Sequence, residues 1–255
     1  MSRPMITAIL TAHREGLLAK PSLESLKRCV AHAEHAGFST ETIAILDRPD
    51  SVTRALIRQY APNGIESVEV DFGDPGMARN HAIDIANGRY AAFLDADDLW
   101  GSNWLTMAAQ AAESCREPVI WHPEVCVYFG ADHHIFHHID MEDPLFSPAT
   151  LAIENYWTAL SFGARDIYAS NRYPDTDLTA GFGFEDWAWN MNTVAKGILH
   201  KTVAGTGHVI RRKMQSVSRD TLGVRGVPRP SPYLVQYLRT RPKRSDGRME
   251  SNALS

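Results

Sequence analysis

Cysteine is scarce in this chain of 255 residues, which has Cys29, Cys115 and Cys126 and no CxxC pair. An odd number of isolated cysteines excludes a disulfide framework and argues against a cysteine-based zinc site. The same pattern fits a reducing compartment, so we expect a cytoplasmic protein.

Long apolar runs are also absent. The first one, residues 5–12, is followed at once by His13, Arg14 and Glu15. It is too short to cross a bilayer and has no signal-peptide cleavage pattern, so it is predicted to be a buried strand. The next segment, TAHREGLLAK, contains a single glycine, Gly16, whereas a nucleotidyltransferase is expected to have a glycine-rich phosphate loop there.

Positive charge is deficient in most of the chain and concentrated near its end. Residues 1–210 carry 15 Lys and Arg against 27 Asp and Glu, a net charge of −12, whereas residues 211–248 carry 11 against 2, a net charge of +9. A basic tail on an acidic body predicts an anionic partner for the tail: phosphate groups, a membrane surface or the body itself. A solvated, disordered tail is an open alternative.

Short apolar runs alternate with amphipathic segments in the first hundred residues, as in βαβ units with a parallel sheet. Strands are predicted at residues 5–11, 42–46, 66–70 and 90–94. The first helix is expected to begin at Ser22 as N-cap and to stop at Gly37. The second covers residues 51–60. The third begins near Pro75 and is expected to bury Met77, Ala78, Ala82 and Ile85.

The middle of the chain has a different pattern. Residues 124–129 and 133–139 are predicted to form a hairpin, a helix is expected from Glu185 to just before Gly197, and residues 199–203 and 208–212 resemble two edge strands. We therefore expect one domain over residues 1–225, with a donor half at about 1–100 and an acceptor half at about 101–225. A basic tail, helical or disordered, follows at 226–255.

Acidic residues follow three of the predicted strands. Residues 11–15 follow the first strand, Asp47 the second, and Asp95, Asp97 and Asp98 the fourth. In an open parallel sheet the ligand binds beyond the carboxyl ends of the strands, so these groups should share one rim. Clustered carboxylates suit a hard cation, Mg²⁺ or Mn²⁺, although Asp97 or Asp98 capping a helix is an open alternative.

Three segments, in this order, resemble the family 2 glycosyltransferases. They are GDPGMARNHAIDIANGRYAAFLDADDLW with its ARN helix and DxD motif, GFGFEDWAWN with an ED motif, and the basic stretch RRKMQSVS. The resemblance covers about residues 5–220. It implies a GT-A fold: a Rossmann-like nucleotide-binding domain with a mostly parallel central sheet, helices on both faces and a smaller acceptor-side region.

The resemblance also implies an activity. A sugar would pass with inversion from a nucleotide diphosphate sugar, in the first place a UDP-sugar, to the hydroxyl of a saccharide or lipid-linked acceptor, as in polysaccharide biosynthesis. Two alternatives stay open: a nucleotide-sugar-binding module without catalysis, and, less favoured, a magnesium-dependent nucleotidyltransferase. We expect no nucleic-acid partner.

Site residues are implied position by position. Asp97, with Asp95, would ligate the metal, and Asp186 would be the general base with Glu185 as its rival. Asp47 would recognise the nucleotide base, usually uracil. The remaining donor-side residues are Thr11, His13, Glu15, Arg79, Asp95, Arg211 and Arg212, although His13-Arg14 and residues 46–51 depart from the usual Tyr-Asn and Asp-Asp-Gly-Ser.

The tail contains an apolar stripe followed by basic residues. In PYLVQYLRTRPKR, residues 232–244, a helix would bring together Leu234, Val235, Tyr237 and Leu238, with Arg239, Arg241, Lys243 and Arg244 after them. A short helix is marginal alone in water and needs a surface. We expect peripheral contact with the inner face of an anionic membrane, with docking on the body and disorder as alternatives.

Overall fold

The computed structural model describes residues 3–60, 64–214 and 216–240. Its strands are β1 (Ile6–Ala12), β2 (Thr40–Asp47), β3 (Ile65–Val70), β4 (Tyr90–Asp95), β5 (Leu99–Trp100), β6 (Val119–Gly130), β7 (His134–His137), β8 (Phe162–Ala164) and β9 (Leu199–Arg212). Its helices are α1 (Ala19–His35), α2 (Ser51–Tyr60), α3 (Pro75–Ile85), α4 (Trp104–Ser114), α5 (Pro148–Leu151), α6 (Arg165–Ser170), α7 (Glu185–Ala195), α8 (Val217–Gly223) and α9 (Tyr233–Thr240), and a 3-10 helix covers Gly16–Leu18.

One mixed sheet organises the molecule, with strand order β3-β2-β1-β4-β8-β6-β9-β5 and β7 beside β6. The first four strands are parallel, with Thr11 beside both Ile45 and Asp95. The short β8 runs antiparallel between β4 and β6, and β9 runs parallel to β6. The carboxyl ends of β1, β2 and β4 therefore meet at one edge, as the sequence predicts.

Helices cover both faces of the sheet. Because side chains alternate along a strand, Leu10 packs with Leu23 and Trp104 on one face, whereas its neighbour Ile9 packs with Phe93 and Trp189 on the other. A third, smaller cluster joins α5, α7 and α9 through Leu151, Trp157, Met191 and Tyr233. This arrangement confirms the expected fold class.

The alternation of four strands with three helices is confirmed, but the predicted start of α1 is wrong. The helix begins at Ala19 with Leu18 as its N-cap, and Ser22 is buried inside it. The 3-10 helix leads directly into α1, so no separate capping side chain is needed at residue 22. The stop at Gly37 is confirmed, with φ at +90°, a conformation that glycine adopts at little cost.

The buried face of α3 is also partly different from the prediction. Asp74 is its N-cap and accepts a hydrogen bond of 2.7 Å from the Met77 backbone N–H. Ala78 and Ala82 are buried as expected, but Met77 is 36% exposed. Arg79 is buried instead, because carboxylates from two other elements pair with it.

Strand β9 is one continuous strand rather than the two predicted edge strands. The expected break falls at residues 204–207, where Gly205 has a positive φ of 72° and Gly207 follows. Pairing with β6 continues across this point through a register shift between Pro123 and Val125. β9 therefore pairs with β6 along its length and with β5 at residues 208 and 209.

The predicted hairpin of β6 and β7 and the predicted helix α7 are confirmed. Packing continues past residue 225: the Gly183 N–H donates to the carbonyl of Val227, and the hydroxyl of buried Tyr233 donates to the carbonyl of Pro148 at 2.6 Å. Helix α9 is docked on the body through Tyr233, and residues 241–255, with three of the four predicted basic residues, lie outside the described residues. Within the described ranges, no helix is both long enough and apolar enough to cross a membrane.

Four histidines are buried between β6, β7 and β9. His122 and His200 share a hydrogen bond of 2.9 Å between ring nitrogens, and His200 also bonds the Thr193 hydroxyl at 2.8 Å. Burial lowers the pKa of all four; for His138 the pKa is about 4 and for His200 about 3. The fourth, His208, lies edge-on to the Trp104 ring. These histidines are neutral parts of the core.

Candidate functional site

Asp95 ends β4 at the rim, where it is held by two partners. The Thr11 hydroxyl donates to Oδ1 at 2.5 Å, and Nη2 of Arg79 donates to Oδ1 at 3.0 Å and to Oδ2 at 3.1 Å. Thr11 stands directly beside Asp95 in the sheet. The Asp95 side chain is still 33% exposed, so its carboxylate can contact a ligand.

Arg79 connects this carboxylate to the ED motif. Its side chain is only 3% exposed, and Nη1 donates to Oε1 of Glu185 at 3.0 Å. Burial by itself lowers the pKa of Arg79, but Asp95 and Glu185 outweigh burial and the pKa is raised overall. A permanently charged guanidinium therefore joins β4 to the start of α7.

Asp97 and Asp98 follow Asp95 in a turn and are buried. Nζ of Lys213 lies 2.7 Å from Oδ2 of Asp97 and 4.0 Å from Oε1 of Glu15. Burial raises the pKa of Asp97 and of Glu15, while Lys213 opposes this in both. Burial and the repulsion of Asp97 raise the pKa of Asp98 well above its usual range.

The interpretation of Asp97 or Asp98 as a helix cap is wrong. Strand β5 follows these residues, and the next helix, α4, begins at Trp104 with Asn103 as its N-cap. Asp98 instead accepts a bond of 2.6 Å from the Arg211 backbone N–H, which fixes the end of β9. The Asp98 carboxylate is thus hydrogen-bonded to the backbone, whereas the Asp97 carboxylate is paired with the ammonium group of Lys213.

Asp47 and His13 lie side by side at the ends of β2 and β1. The Asp47 carboxylate accepts bonds from three backbone N–H groups, those of Phe72 and Gly73 at 2.8 Å and of Asp74 at 2.9 Å. The His13 ring bonds the Asp47 carbonyl, and the His13 N–H donates to Glu15 at 2.6 Å. Asp47 thereby orders the loop between β3 and α3 beside the first strand.

Glu185 and Asp186 form the first turn of α7. Burial and the repulsion of Asp186 raise the pKa of Glu185 to about 7, although Arg79 opposes this. Burial also raises the pKa of Asp186, against the opposing effect of Arg79. Asp186 is only partly buried, and Nδ2 of Asn155 donates to its Oδ2 at 3.3 Å.

Arg211 and Arg212 end β9 near the acidic turn. Nε of Arg211 donates to the Asp97 carbonyl at 3.2 Å, and its guanidinium lies 4.5 Å from the centre of the Phe129 ring. The Arg212 guanidinium lies 5.5 Å from the centre of the Tyr128 ring. Arg211 is therefore joined to the acidic turn, and Arg212 is held by an aromatic side chain.

The structure thus links most of the predicted site residues through direct contacts. One set runs from Thr11 through Asp95 and Arg79 to Glu185, and the other runs from Glu15 through Lys213 to Asp97. Among the described residues, no group of three or more His, Cys, Asp or Glu side chains is arranged to hold a metal ion. A cation here would have two carboxylates, those of Asp95 and Asp97, as candidate protein ligands.

Sequence reasoning missed two contacts. Lys213 belongs to the basic stretch, but nothing in the stretch indicated that it would pair with Asp97. Asn155 lies in an irregular segment 31 residues before Asp186, where no periodicity or motif marks it. A residue of this kind can be found only once the tertiary structure is known.

A comparison with family models identifies the chain. Residues 7–163 match the model described as Glycosyl transferase family 2, and this range contains β1 from its second residue onward, the DxD segment and Arg79. The chain belongs to this family. No curated protein matches it.

Solved structures agree with the family in fold. S. aureus TarS 1-349 in complex with UDP-GlcNAc has a TM-score of 0.59 at 14% identity, covering 84% of this chain and 60% of that one. The mannosyltransferase PcManGT from Pyrobaculum calidifontis, in complex with GDP-Man and Mn²⁺, has a TM-score of 0.58 at 15% identity, covering 94% and 71%. At such identities the likeness shows the GT-A fold, and the chain spans less than two thirds of the TarS 1-349 chain bound to UDP-GlcNAc.

Proposed function

We propose that this family 2 chain transfers a sugar from a nucleotide diphosphate sugar, in the first place a UDP-sugar, to an acceptor hydroxyl with inversion. The observation that carries the proposal is the double ion pair of Arg79, which holds Asp95 of the DxD segment and Glu185 of the ED motif at 3.0 Å each. Through it, the carboxylates of the nucleotide rim and the first turn of α7 border one site.

The residues at the rim fit a divalent cation. Asp95 and Asp97 offer hard oxygen ligands, and Asp97 is a buried carboxylate whose counter-charge is a partly exposed lysine. These two residues would hold Mn²⁺ or Mg²⁺, which when bound would offset the charge on the departing diphosphate. The Mn²⁺ in the PcManGT complex supports this choice.

Donor contacts are assigned to the same edge. Thr11 and Asp47 lie at the carboxyl ends of β1 and β2, and His13 and Glu15 follow β1, where the base and ribose would lie. Arg211 and Arg212 approach from the end of β9, and a guanidinium there would make charge-assisted hydrogen bonds to diphosphate oxygens. UDP-GlcNAc and GDP-Man in the neighbouring structures make uridine and guanosine the first nucleotides to test.

Asp186 is assigned as the general base. Glu185 is 10% exposed and paired with Arg79, whereas Asp186 is partly exposed. In the transfer step the acceptor oxygen bonds to the anomeric carbon while the bond from that carbon to the diphosphate breaks. The diphosphate leaves with the electron pair, and the hydroxyl proton passes to the Asp186 carboxylate, whose pKa is raised by burial, which makes it a stronger base than an exposed aspartate.

A nucleotide panel tests the proposal. UDP, GDP, CDP and dTDP are added with and without Mn²⁺, and the thermal unfolding midpoint is measured, because a ligand that binds only the folded state raises it. We expect one of them, UDP first, to raise the midpoint more with Mn²⁺. Turnover is then measured as nucleoside diphosphate release from the matching sugar in the presence of saccharide and lipid-linked acceptors.

Asp97→Ala is the variant that tests the metal assignment. It should lose the Mn²⁺-dependent part of the rise in midpoint while still unfolding cooperatively. Asp166→Ala, which removes a carboxylate that is 83% exposed, is the matched control and should behave as the wild type. A full Mn²⁺-dependent rise in Asp97→Ala would contradict the assignment. Binding without turnover of any sugar would instead favour a non-catalytic binding module.

A further inference from the structure

The Asp186 carboxylate has a hydrogen-bonding partner outside its own helix. Oδ1 accepts a bond of 2.8 Å from the neighbouring Trp187 N–H, and Oδ2 accepts one of 3.3 Å from Nδ2 of Asn155. Asn155 lies in the segment that follows α5, before β8. A residue remote in sequence therefore fixes one oxygen of this carboxylate.

The orientation of the Asn155 amide follows from its neighbours. Nδ2 of Asn190 donates to the Trp157 carbonyl at 3.2 Å, and a carbonyl can only accept, so the amino end of Asn190 is identified. The same amino group donates to Oδ1 of Asn155 at 2.9 Å, and the Trp157 N–H donates to that oxygen at 3.4 Å. With its oxygen committed to two donors, Asn155 must turn its amino group towards Asp186.

Both supports of this amide are rigid. Asn190 is 2% exposed and lies four residues after Asp186 on α7, so the two side chains share one face of the helix. Trp157 is 1% exposed, stacks on His200 at 4.3 Å between ring centres, and donates from Nε1 to the Ile139 carbonyl at 2.7 Å. The hydrogen-bonded chain therefore begins in the core and ends at a partly exposed carboxylate.

We propose that Asn155 is a positioning residue that holds the Asp186 carboxylate in one orientation, and that Asn190 holds Asn155. The proposal rests on the assignment of Asp186 as the base. Fixing Oδ2 limits rotation of the carboxylate and leaves its remaining lone pairs for the acceptor hydroxyl. An N–H donor also stabilises the ionised form, which is the form that accepts a proton.

Other charged groups act on Asp186 as well. Arg79 of α3 stabilises its ionised form, and Asp95 of β4 and Glu185 of its own helix oppose it. The Asp186 carboxylate in turn acts on two nearby phenols, because its charge raises the pKa of Tyr128 and of Tyr173. None of these groups is altered by substitutions at Asn155 or Asn190, so the effect of the amides can be measured separately.

The first test needs no substrate. Carboxyl carbons of ¹³C-labelled protein are titrated by NMR, and Asp186 is assigned as the resonance that Asp186→Asn removes. We expect Asn155→Ala to raise the apparent pKa of Asp186 by about half to one pH unit, because a donor to the ionised form is lost. Asn190→Ala should move it the same way, since Asn155 can then rotate.

Asn103→Ala is the matched control, because Nδ2 of Asn103 makes a single bond of 3.0 Å to the Gly205 carbonyl. Asn155 is partly exposed, so Asn155→Ala should fold even if the buried Asn190→Ala does not. An Asp186 titration that is identical in Asn155→Ala and the wild type would overturn the proposal.

The second test uses turnover of the sugar donor found with the panel. We expect Asn155→Ala to lower kcat about 10- to 100-fold and to leave the KM for the donor within about twofold, as for a misplaced catalytic group. In an Asp186→Asn background the substitution should have no further effect, because it acts through that carboxylate. An equal loss in both backgrounds would overturn the positioning role. A shifted titration together with an active Asp186→Asn would support the contact and overturn the base assignment.

Discussion

Asp186 and Glu185 are adjacent in sequence, yet the first turn of α7 gives them different surroundings. Glu185 points to buried Arg79, and its carboxylate is 10% exposed. Asp186 is partly exposed and bonded by Asn155. At the scale of single residues, this difference separates a buried carboxylate paired with an internal charge from a partly exposed one held by an amide.

Asp186→Asn keeps the shape of the side chain but cannot accept a proton. We expect kcat to fall by at least about 100-fold, the usual contribution of a positioned base, with donor binding retained. Steady-state turnover and calorimetric titration of the nucleotide measure the two effects.

Glu185→Gln is the informative comparison, because it leaves the charge of Arg79 with one carboxylate fewer. We expect it to lower the free energy of unfolding by about 3 kcal/mol, in the range for breaking a buried pair. Near-normal turnover in Asp186→Asn together with lost turnover in a folded Glu185→Gln would reverse the two roles.

Residue types in a motif predicted which acidic side chains reach the rim, but not what each one does there. Asp95, Asp97 and Asp98 were expected together because they follow one strand. In the structure, however, the Asp98 carboxylate accepts a hydrogen bond from the Arg211 backbone N–H. Asp47 was expected at a ligand, and its carboxylate accepts three backbone bonds from one loop. Such contacts depend on segments distant in sequence, which local pattern does not encode.

At the scale of elements, periodicity worked best where an element has one apolar face and clear ends. Helix α2 has its predicted bounds, and α7 begins at Glu185 as expected. The prediction was wrong at residues 204–207, where two glycines suggest a break in the strand. Pairing with β6 overrides that local preference, and β9 continues for 14 residues.

Lys213, the residue directly after β9, supplies an internal cation to the acidic turn. Nζ of Lys213 lies 2.7 Å from Asp97, so a divalent ion that binds Asp97 must compete with it. Lys213→Gln should therefore bind Mn²⁺ more tightly in the absence of nucleotide, by about fivefold or more, which corresponds to a coupling free energy of at least about 1 kcal/mol. Isothermal titration with MnCl₂ alone measures this.

Lys201→Gln is the matched control, because Nζ of Lys201, near the start of β9, also lies 2.7 Å from a carboxylate oxygen, that of Glu142. Loss of that pair should leave Mn²⁺ affinity unchanged. Equal affinities in Lys213→Gln and the wild type would show that Lys213 does not compete with the metal.

At the scale of the whole molecule, α9 exposes apolar side chains to solvent. Leu234, Val235 and Leu238 are 47, 51 and 56% exposed, although Tyr233 of the same helix is buried. Basic residues follow in the sequence, and each would contribute about 1 kcal/mol near an anionic membrane. We predict that the full chain sediments with phosphatidylserine vesicles at low salt and that Leu234→Asp with Leu238→Asp reduces this several-fold.

Leu17→Asp with Val52→Asp is the control pair, since both residues are exposed apolar side chains on a different part of the surface, beside the first turn of α2. If the α9 variant and this control sediment alike, α9 does not mediate membrane contact. Truncation is less suitable, because the backbone of Val227 and the hydroxyl of Tyr233 are hydrogen-bonded to the body.

The buried histidines predict how stability depends on pH. Their pKa values are lower in the folded than in the unfolded chain, so the unfolded chain binds more protons as the pH falls below about 6.5, its unfolded value, and stability is lost. For His200, with a folded pKa of about 3, the loss between pH 7 and pH 5 is about 2 kcal/mol.

Urea unfolding of the wild type and His200→Gln at several pH values separates the contribution of His200 from that of the carboxylates. Carboxylates with raised pKa values in the folded chain increase the stability as the pH falls, whereas the histidines decrease it. The variant should have a lower free energy of unfolding at pH 7, since two hydrogen bonds are lost. The difference in this free energy between the wild type and the variant should be about 2 kcal/mol smaller at pH 5 than at pH 7. His35→Gln, at the exposed end of α1, should show no such narrowing. A constant difference for His200→Gln would contradict the prediction.

The pairing of Asp97 with Lys213 also has a consequence for biosynthesis. The lysine lies 116 residues after the aspartate (213 minus 97), so a ribosome adding about 5 to 20 residues per second makes it roughly 6 to 23 s later. In that interval the four parallel strands are already translated, and the acidic turn has no lysine beside it. Until Lys213 is made, the Asp97 carboxylate lacks its partner in the folded chain, and any counter-charge for it must come from elsewhere.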